Sequence, residues 1–220
     1  MASTPTRAAA RPHLQHEAVL WEAGLPRVAG VDEVGRGALA GPLVAAAVVL
    51  PLCAGAARGG LARALRDVRD SKQLTPEQRE RLVGPITGRA LGVAIGVVEV
   101  WEIDEIGLGP ANRLAMERAV LALPAEPDAL LLDACVLDAG LPQVGLVDGD
   151  AISLSIAAAS IVAKVARDRM MVALHEADPR YAFALHKGYG SPLHLQRLAA
   201  HGPCQHHRRG FAPVAALLPA

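Results

Sequence analysis

The sequence predicts an α/β fold, in which helices cover a sheet whose first half is antiparallel. Two apolar, strand-like runs at 27–34 and 42–51 lie close together in the chain, as the strands of a hairpin do. A third run at 91–100 and two short runs at 129–132 and 144–147 bring the candidate strands to five. Because helical patterns separate the later runs, we expect crossover helices behind the sheet.

The predicted helices each show a start signal, an end signal or an apolar face. The first, at 14–24, is closed by Gly24, and the segment before it, 1–13, is predicted to be a disordered tail. Thr75 and Pro76 are typical of an N-cap and a first helical residue. Further helices are predicted at 110–123, 153–176 and 192–201, and the last of these belongs to a small C-terminal helical appendage.

Composition favours one domain with a full core, since the chain has 220 residues of which 52% are hydrophobic. No apolar stretch reaches the roughly 18–20 residues that cross a bilayer, and the N-terminus lacks the pattern of a secretory signal. The three cysteines are odd in number and far apart, which predicts free thiols in a reducing compartment. We therefore expect a cytoplasmic protein.

The net charge is zero, but it is unevenly distributed along the chain. From residue 160 onward there are eight Lys or Arg and three acidic residues, so the earlier part carries a net charge of −5. An acidic centre beside a basic flank is typical of a protein that holds cations next to a polyanion. An uneven but purely solvated surface explains the charges equally well.

Four acidic residues, Asp32, Glu33, Asp133 and Asp150, lie at or near the ends of apolar runs. Asp32 and Glu33 would face opposite sides of a regular strand, so both reach one cleft only if the strand ends there. The glycines that follow indicate such an end, although an acidic strand terminus in water is the plainer interpretation of this pair alone. Clustered carboxylates repel one another unless a cation lies among them, and oxygen ligands suit Mg²⁺ or Mn²⁺. Two such ions, about 3.5–4 Å apart, commonly serve phosphodiester hydrolysis.

The turn Gly35-Arg36-Gly37 offers unhindered backbone N–H groups and one positive charge, which suits a phosphate. The same segment matches the G-x-G-x-x-A pattern of dinucleotide-binding folds. That fingerprint requires a helix directly after the glycines, whereas Gly41, Pro42 and a strand-like run follow here. The dinucleotide interpretation is therefore rejected.

The stretch AGVDEVGRGALAGP at 29–42 resembles the opening signature of type 2 ribonucleases H, the ribonuclease HII family. Further segments resemble blocks of that family in the expected order: DSK at 70–72, IDE at 103–105, AAASIVAKVARD at 157–168, HKGYG at 186–190 and HRR at 207–209. The resemblance implies a ribonuclease H-like mixed five-stranded sheet flanked by helices. It also implies a catalytic domain over 14–178 and a C-terminal helical substrate-binding extension over 179–220.

The resemblance further implies an endonuclease that cleaves the RNA strand of RNA–DNA hybrids and nicks DNA 5′ to an embedded ribonucleotide, using Mg²⁺ or Mn²⁺. Asp32, Glu33, Asp133 and Asp150 would then be the catalytic, metal-binding carboxylates. The expected partners are RNA–DNA hybrid and ribonucleotide-containing duplex DNA, with no membrane; we expect a monomer and leave a sliding-clamp contact open. The alternatives are a related two-metal nuclease acting on another structured nucleic acid, and a hybrid-binding protein without activity.

The resemblance assigns Gly35, Arg36, Gly37 and Tyr189 to recognition of the RNA–DNA junction. The glycines on either side of Tyr189 favour a ring that meets substrate over one packed in a core. Several basic residues are candidates for phosphate contacts, although each is as readily a solvated surface residue: Lys72, Lys164, Arg167, Lys187, Arg208 and Arg209. Cys204, His206 and His207 lack the fourth ligand and the spacing of a zinc site.

The chain departs from the family pattern at a few positions near the predicted site. Ala134 and Cys135 follow the third acid, where relatives often have Gly, and Gly210 replaces a frequent Ser. Asp148 stands where many relatives carry Lys. If strand pairing is regular there, Asp148 shares a face with Asp150 and would raise the pKa of that neighbour or add a ligand through water.

Overall fold

The structure is a computed structural model that describes residues 11–218, and its centre is a five-stranded sheet. Strands β1 (Val28–Val34), β2 (Leu43–Val49) and β3 (Gly92–Val98) pair in antiparallel fashion, with β2 in the middle. Strand β4 (Ala129–Asp133) runs parallel to β1 on its other side, and β5 (Gln143–Leu146) runs parallel to β4. The order is β3-β2-β1-β4-β5. The predicted mixed sheet with an antiparallel first half is confirmed.

Helices surround this sheet. Within residues 11–218 the α-helices are α1 (Gln15–Glu22), α2 (Gly55–Ala64), α3 (Pro76–Thr87), α4 (Val100–Ile106), α5 (Leu108–Leu121), α6 (Gly149–Ile152), α7 (Leu154–Ala177), α8 (Phe183–His186), α9 (Pro192–His201) and α10 (Ala212–Ala215). Short 3-10 turns lie at Ser71–Gln73 and Pro179–Tyr181. The five predicted helices correspond to α1, α3, α5, α7 and α9. At the start of α3 the Thr75 side chain accepts from the backbone N–H of Gln78, whose own side chain accepts from the N–H of Thr75.

Two helices of some length were not predicted, and each has a physical reason. Helix α2 contains three glycines and has no buried residue, so its sequence lacks a helical apolar face. Helix α4 begins at Val100, which the sequence analysis placed in the third strand. That strand ends at Val98, because Glu99 and Glu102 form a reciprocal capping arrangement that starts the helix.

The two faces of the sheet are covered by different helices. Helix α7 packs on one face against β1 and β2, and α5 packs on the other against β2 and β3. Alternate residues of β1 divide accordingly: Val28 belongs to the core under α7, while Ala29 and Val31 belong to the core under α5. A Cβ on Gly30 would lie 2.3 Å from the backbone of Ser155, so α7 crosses β1 at very close range. This contact brings α7 beside the end of β1.

The chain before α1 and the chain after α7 both pack onto the main body in the described residues. Residues 1–10 of the predicted tail at 1–13 lie outside the described residues. In the part that is described, the backbone N–H of His13 donates to the carbonyl of Ile152. After α7, Tyr181 and Phe183 pack with Met171 and Ala40 in a small separate core. None of the helices within 11–218 is both long and apolar enough to span a membrane.

Candidate active site

Two parallel strands and a short helix bring the four predicted carboxylates to one edge of the sheet. The pairing of β1 with β4 runs to Val31 opposite Leu132. Asp32 and Asp133 are the next residues on the two strands, so they lie side by side where this pairing ends. Asp150 is in α6 rather than at the end of a strand, and it is 5% exposed.

Asp32 and Glu33 do face opposite sides, because β1 continues past them. Its ladder with β2 extends through Glu33 to Val34, so the expectation that β1 ends at the acidic pair is wrong. Asp32 lies beside Ser160 of α7, whereas Glu33 lies beside Asn112 of α5. Pairing on the β4 side stops two residues earlier than pairing on the β2 side, at Val31. The β4 side of β1 is therefore unpaired at the acidic residues, and both carboxylates line one cleft there.

The four carboxylates repel one another. Burial, followed by the charge of Glu33, holds the pKa of Asp32 well above its ordinary value, and the charges of Asp133 and Asp150 add to this. Burial and then the charge of Asp133 raise the pKa of Glu33. Burial and then the charge of Asp70 raise the pKa of Asp150. Each ionised group therefore favours a nearby cation.

Few protein donors stabilise this negative charge. Asp32 accepts the N–H of Glu33 at 2.8 Å, and Asp133 accepts the N–H of Gly149 at 2.7 Å. Lys72 is the basic residue that pairs directly with the group, with its Nζ 3.3 Å from Oδ2 of Asp150. Nowhere in residues 11–218 are three acidic, imidazole or thiol side chains gathered closely enough to form a ready metal cage. The fit to a divalent cation rests on the donors themselves, four carboxylates of which Asp32, Glu33 and Asp150 have a raised pKa.

The structure corrects the expectation for Asp148. This residue is exposed and adopts a left-handed backbone conformation with φ +53°, between β5 and α6, so it does not share a strand face with Asp150. The acids that raise the pKa of Asp150 are instead Asp70 and Asp133. Ala134 also has a positive φ, +48°. An L-residue in this conformation costs roughly 1–2 kcal/mol.

A cleft of about 360 Å³ opens in front of Asp32 and Glu33. Its walls combine acids, lysines and one tyrosine: Asp32, Glu33, Val34, Ser71, Lys72, Ser160, Lys164 and Tyr189. Nζ of Lys164 lies 5.7 Å from the centre of the Tyr189 ring and 2.7 Å from Asp168. The structure thus brings three of the predicted substrate-binding residues, Lys72, Lys164 and Tyr189, to the cleft that holds Asp32 and Glu33.

The Gly35-Arg36-Gly37 turn lies directly after β1, next to this cleft. Gly35 has φ +93°, and a Cβ there would lie 2.1 Å from Nε of Arg167, so the position requires glycine. Arg36 is exposed, and its charge partly offsets the rise in the pKa of Glu33. The turn therefore presents the solvent-facing guanidinium of Arg36 on a backbone that packs against the buried Arg167.

Arg167 provides that support, which corrects its assignment to phosphate binding. It is fully buried, and its guanidinium donates to the carbonyls of Pro42 (2.9 Å), Ala40 (3.0 Å) and Lys187 (2.8 Å). The donors are directed at backbone oxygens and none faces solvent, so a substrate phosphate cannot reach the group. Arg167 connects the segment after the turn to the loop that carries Tyr189.

Arg208 has the same structural role. It is fully buried and donates to the carbonyls of Gly41 (2.8 and 3.0 Å), Pro42 (3.1 Å) and Arg36 (3.1 Å). Burial, followed by the charge of Arg167, lowers its pKa to about 9. The phosphate assignment of Arg208 is therefore also wrong. Sequence reasoning identified both residues as basic but could not show that backbone carbonyls surround them.

Lys187 is not brought to the cleft. Its backbone is left-handed, with φ +52°, and its ammonium is directed at the carbonyl of Ala184. It lines a neighbouring groove together with Glu80 and Arg169. Its phosphate contact therefore stays a prediction.

Two polar residues near the carboxylates were missed by sequence reasoning. Ser160 is buried in α7, where it faces Asp32 and hydrogen-bonds Ser71 at 2.9 Å. Asn112 is buried in α5 beside Glu33. The available signal was a polar residue among the mostly apolar residues of a buried helix face. Cys204 and His207 lie together, with Sγ 3.2 Å from Nδ1, whereas His206 contacts Gln205 instead.

Comparisons with known proteins show which family the chain is similar to. The family model described as Ribonuclease HII matches residues 29–214. Ribonuclease HII of Chloroflexus aurantiacus is 52% identical over 204 residues, which cover 92% of this chain and 94% of the relative. The crystal structure of ribonuclease H2 from Pyrococcus horikoshii has a TM-score of 0.72 and 28% identity, covering 87% of this chain and 96% of that one. Ribonuclease HII of Archaeoglobus fulgidus, solved in complex with PCNA, has a TM-score of 0.66 and 26% identity, covering 83% and 92%.

Proposed function

Because the chain belongs to the ribonuclease HII family, an endoribonuclease family of hydrolases, we propose that it hydrolyses the phosphodiester 5′ to ribonucleotides. The proposed substrates are RNA–DNA hybrids and duplex DNA that contains single embedded ribonucleotides. The products would carry 3′-hydroxyl and 5′-phosphate ends. We further propose that the protein acts as a cytoplasmic monomer.

The observation that carries this proposal is the group of mutually repelling carboxylates at the edge of a cleft. The charge of Asp133 helps to raise the pKa of Asp32, Glu33 and Asp150, and Lys72 is the basic side chain that pairs directly with Asp150. Such an arrangement is unfavourable in a purely structural role and favourable around Mg²⁺ or Mn²⁺. When bound there, two such ions would activate water and stabilise the charge of the leaving oxygen.

The neighbouring residues fit recognition of a ribonucleotide. The turn at 35–37 has no side chains at its glycines, so its N–H groups can approach a 2′-hydroxyl, the group that distinguishes RNA from DNA. Arg36 is exposed beside the turn and can form a forked contact with a phosphate. Tyr189 lines the same cleft, and its ring would lie against the sugar or base next to the scissile bond. Lys72 and Lys164 would contact the nucleic-acid backbone on either side.

The division of labour along the chain follows from the same positions. We propose that 14–178 is the catalytic domain, since it supplies the four acids. The extension at 179–220 supports the substrate side, since its loop at 186–190 carries Tyr189 and its Arg208 holds the turn. By likeness to the Archaeoglobus relative, a sliding-clamp partner is also proposed, and binding of the protein to the clamp of its own organism would test it.

A cleavage assay tests the proposed function directly. A labelled DNA duplex containing one ribonucleotide is incubated with the protein and Mg²⁺, with an all-DNA duplex as the control. We expect one nick, 5′ to the ribonucleotide, and no cut in the control. Binding without a nick would favour a hybrid-binding protein, and cleavage of the control would indicate a nuclease for other structures. Running the assay in parallel with a long hybrid and with Mn²⁺ defines substrate and metal preference.

A further inference from the structure

Three histidines lie beneath the loop that carries Tyr189, apart from the carboxylate cleft. His194 on α9 is fully buried and His207 is 2% exposed. His186 stacks on His194, with ring centroids 4.2 Å apart. Their contacts run from the C-terminal segment to Tyr189. They therefore connect that segment to a residue that contacts substrate in the proposed function.

The partners of each ring determine the direction of every hydrogen bond in this connection. The backbone N–H of Cys204 donates to Nδ1 of His207 at 3.1 Å, so this nitrogen carries no proton. The carbonyl of Tyr189 can only accept, so Nδ1 of His194, 2.9 Å away, must donate. The two Nε2 atoms lie 3.1 Å apart. With both rings neutral, one arrangement satisfies all three contacts, in which Nε2 of His207 donates to Nε2 of His194.

We propose that His207 and His194 are positioning residues, forming a neutral hydrogen-bond relay that holds the Tyr189 carbonyl and thereby sets the Tyr189 ring for substrate. The role of Tyr189 in this proposal rests on the proposed function. A proton added to His194 would place N–H against N–H between the rings. A proton added to His207 would place N–H against the N–H of Cys204. The relay is therefore intact only while both rings are neutral.

The loop on the other side of Tyr189 is held by the same chemistry. Nδ1 of His186 accepts the N–H of Gly188 at 3.2 Å, and its Nε2 donates to the carbonyl of Tyr181 at 2.8 Å. Gly188 in turn accepts the N–H of Leu39 at 2.8 Å. Gly188, which precedes Tyr189, is thus held through its N–H by the His186 ring and through its carbonyl by Leu39, in the segment after the glycine-arginine-glycine turn.

The surroundings favour the neutral state of both rings. Phe183 packs edge-on against His194, and Tyr181 packs edge-on against His207. Burial lowers the pKa of His207 to about 4 and also lowers that of His194. The titratable groups that face the two rings are His186, Cys204, Tyr181, His206 and Asp178.

The relay is tested first in the unmodified protein, without reference to activity. Nitrogen-15 NMR of histidine-labelled protein distinguishes the two neutral tautomers of each ring. At pH 7 we expect a proton on Nδ1 of His194 and on Nε2 of His207, with both rings still neutral at pH 6. The same tautomer in both rings, or a charged ring at pH 6, would overturn the relay.

The positioning role is tested with a double-mutant cycle. His194→Phe keeps an aromatic ring but removes both polar contacts, and we expect kcat/KM on the single-ribonucleotide duplex to fall about 10-fold or more. In a Tyr189→Ala background the same change should cost less than about two-fold, because its effect passes through Tyr189. Equal losses in both backgrounds would contradict the proposal.

Controls separate the failure of this proposal from failure of the proposed function. His206→Gln alters the neighbouring half-buried histidine and should leave kcat/KM unchanged, and melting curves check that each variant folds. If the unmodified protein makes no nick, or Tyr189→Ala has no effect, the proposed function fails at this residue. The tautomer measurement still decides whether the relay exists.

Discussion

Buried charges have different partners in two regions of the molecule. One region is the carboxylate cleft, and the other is the arginine-held turn, which comprises residues 35–42 with Arg167 and Arg208. At the cleft, acids lie close enough to raise one another's pKa, with Lys72 as their directly paired cation. At the turn, two fully buried guanidinium groups direct their donors at backbone carbonyls. Charge with few partners remains available to a ligand, whereas charge saturated by the backbone stabilises the fold. The partners of a charged residue, rather than its type, indicate its role.

The largest expected effect is the loss of catalysis in Asp133→Asn. The change removes one negative charge that acts on both Asp32 and Glu33 but keeps the shape of the side chain. We expect cleavage to fall by at least about 10²-fold, while affinity for hybrid stays within a few-fold. Single-turnover cleavage and fluorescence-anisotropy binding measure the two quantities. Asp138→Asn, an exposed acid in the following loop, is the control, and unchanged turnover in Asp133→Asn would remove this region from the chemistry.

The second prediction tests the other half of the comparison, with Arg208→Met against Arg209→Met. The first change removes the donors to the buried carbonyl of Gly41 and to the carbonyl of Arg36, at about 1–3 kcal/mol for each unsatisfied group. We expect a loss of about 3 kcal/mol, or about 6–12 °C in Tm for a chain of this length. Arg209 is exposed, so its variant should melt within about 2 °C of the unmodified protein. A stable Arg208→Met protein with weakened hybrid binding would instead restore the phosphate assignment.

The third prediction concerns the stability of the metal-free protein. Burial and then Glu33 raise the pKa of Asp32, so the folded state holds that proton more tightly than the unfolded chain. The associated stability is fully present below the ordinary carboxyl pKa and is lost as pH rises through the raised value. With a chelator at pH 8, Asp32→Asn should therefore melt about 2–4 °C above the unmodified protein. The difference should shrink towards pH 4.

Adding Mg²⁺ provides the matching test of the same effect. The ion should raise the Tm of the unmodified protein more than that of Asp32→Asn, because it relieves a repulsion that the variant has already lost. Thermal melts with and without Mg²⁺ measure this. A variant that melts below the unmodified protein at pH 8 without metal would show that the cluster is not strained by its own charge.

The smallest expected effect is that of Arg36→Gln on binding. Arg36 is exposed on the supported turn, so it should contribute one phosphate contact. We expect affinity for hybrid to fall by a few-fold and the slope of log affinity against log salt to decrease by about 0.9. Arg27→Gln removes the same charge at the opposite end of β1 and should leave the slope unchanged. An unchanged slope in Arg36→Gln would place the contact elsewhere.

The elements that could be predicted from sequence contain short runs of apolar residues. Strands β1 to β4 and the first half of α7 are such runs, and most of their residues are buried. Helix α2 was not predicted because its three glycines leave it without an apolar face. The start of α4 was not predicted because Val100 continues a strand-like run. Capping by Glu99 decided that boundary, and this interaction depends on two side chains rather than on periodicity.

At the site, sequence identified residue types and motifs but not their surroundings. The acids were identifiable because carboxylates at the ends of apolar runs are costly without a purpose. The roles of Arg167 and Arg208 were not, since a buried guanidinium and a solvated one look the same in a sequence. Asp148 was misplaced for a related reason, because a left-handed residue between β5 and α6 interrupts the alternation of side chains along a strand.

The bond from Arg208 to the carbonyl of Arg36 joins residues separated by 172 positions. During synthesis the chain emerges from its N-terminus, so the turn leaves the ribosome long before its supporting arginine. Contacts of such long sequence separation close late in folding. In the nascent protein the catalytic acids would therefore be present before the turn is ordered for substrate binding. A chain truncated shortly before residue 208 would fold its sheet but lack the side chain that orders the turn.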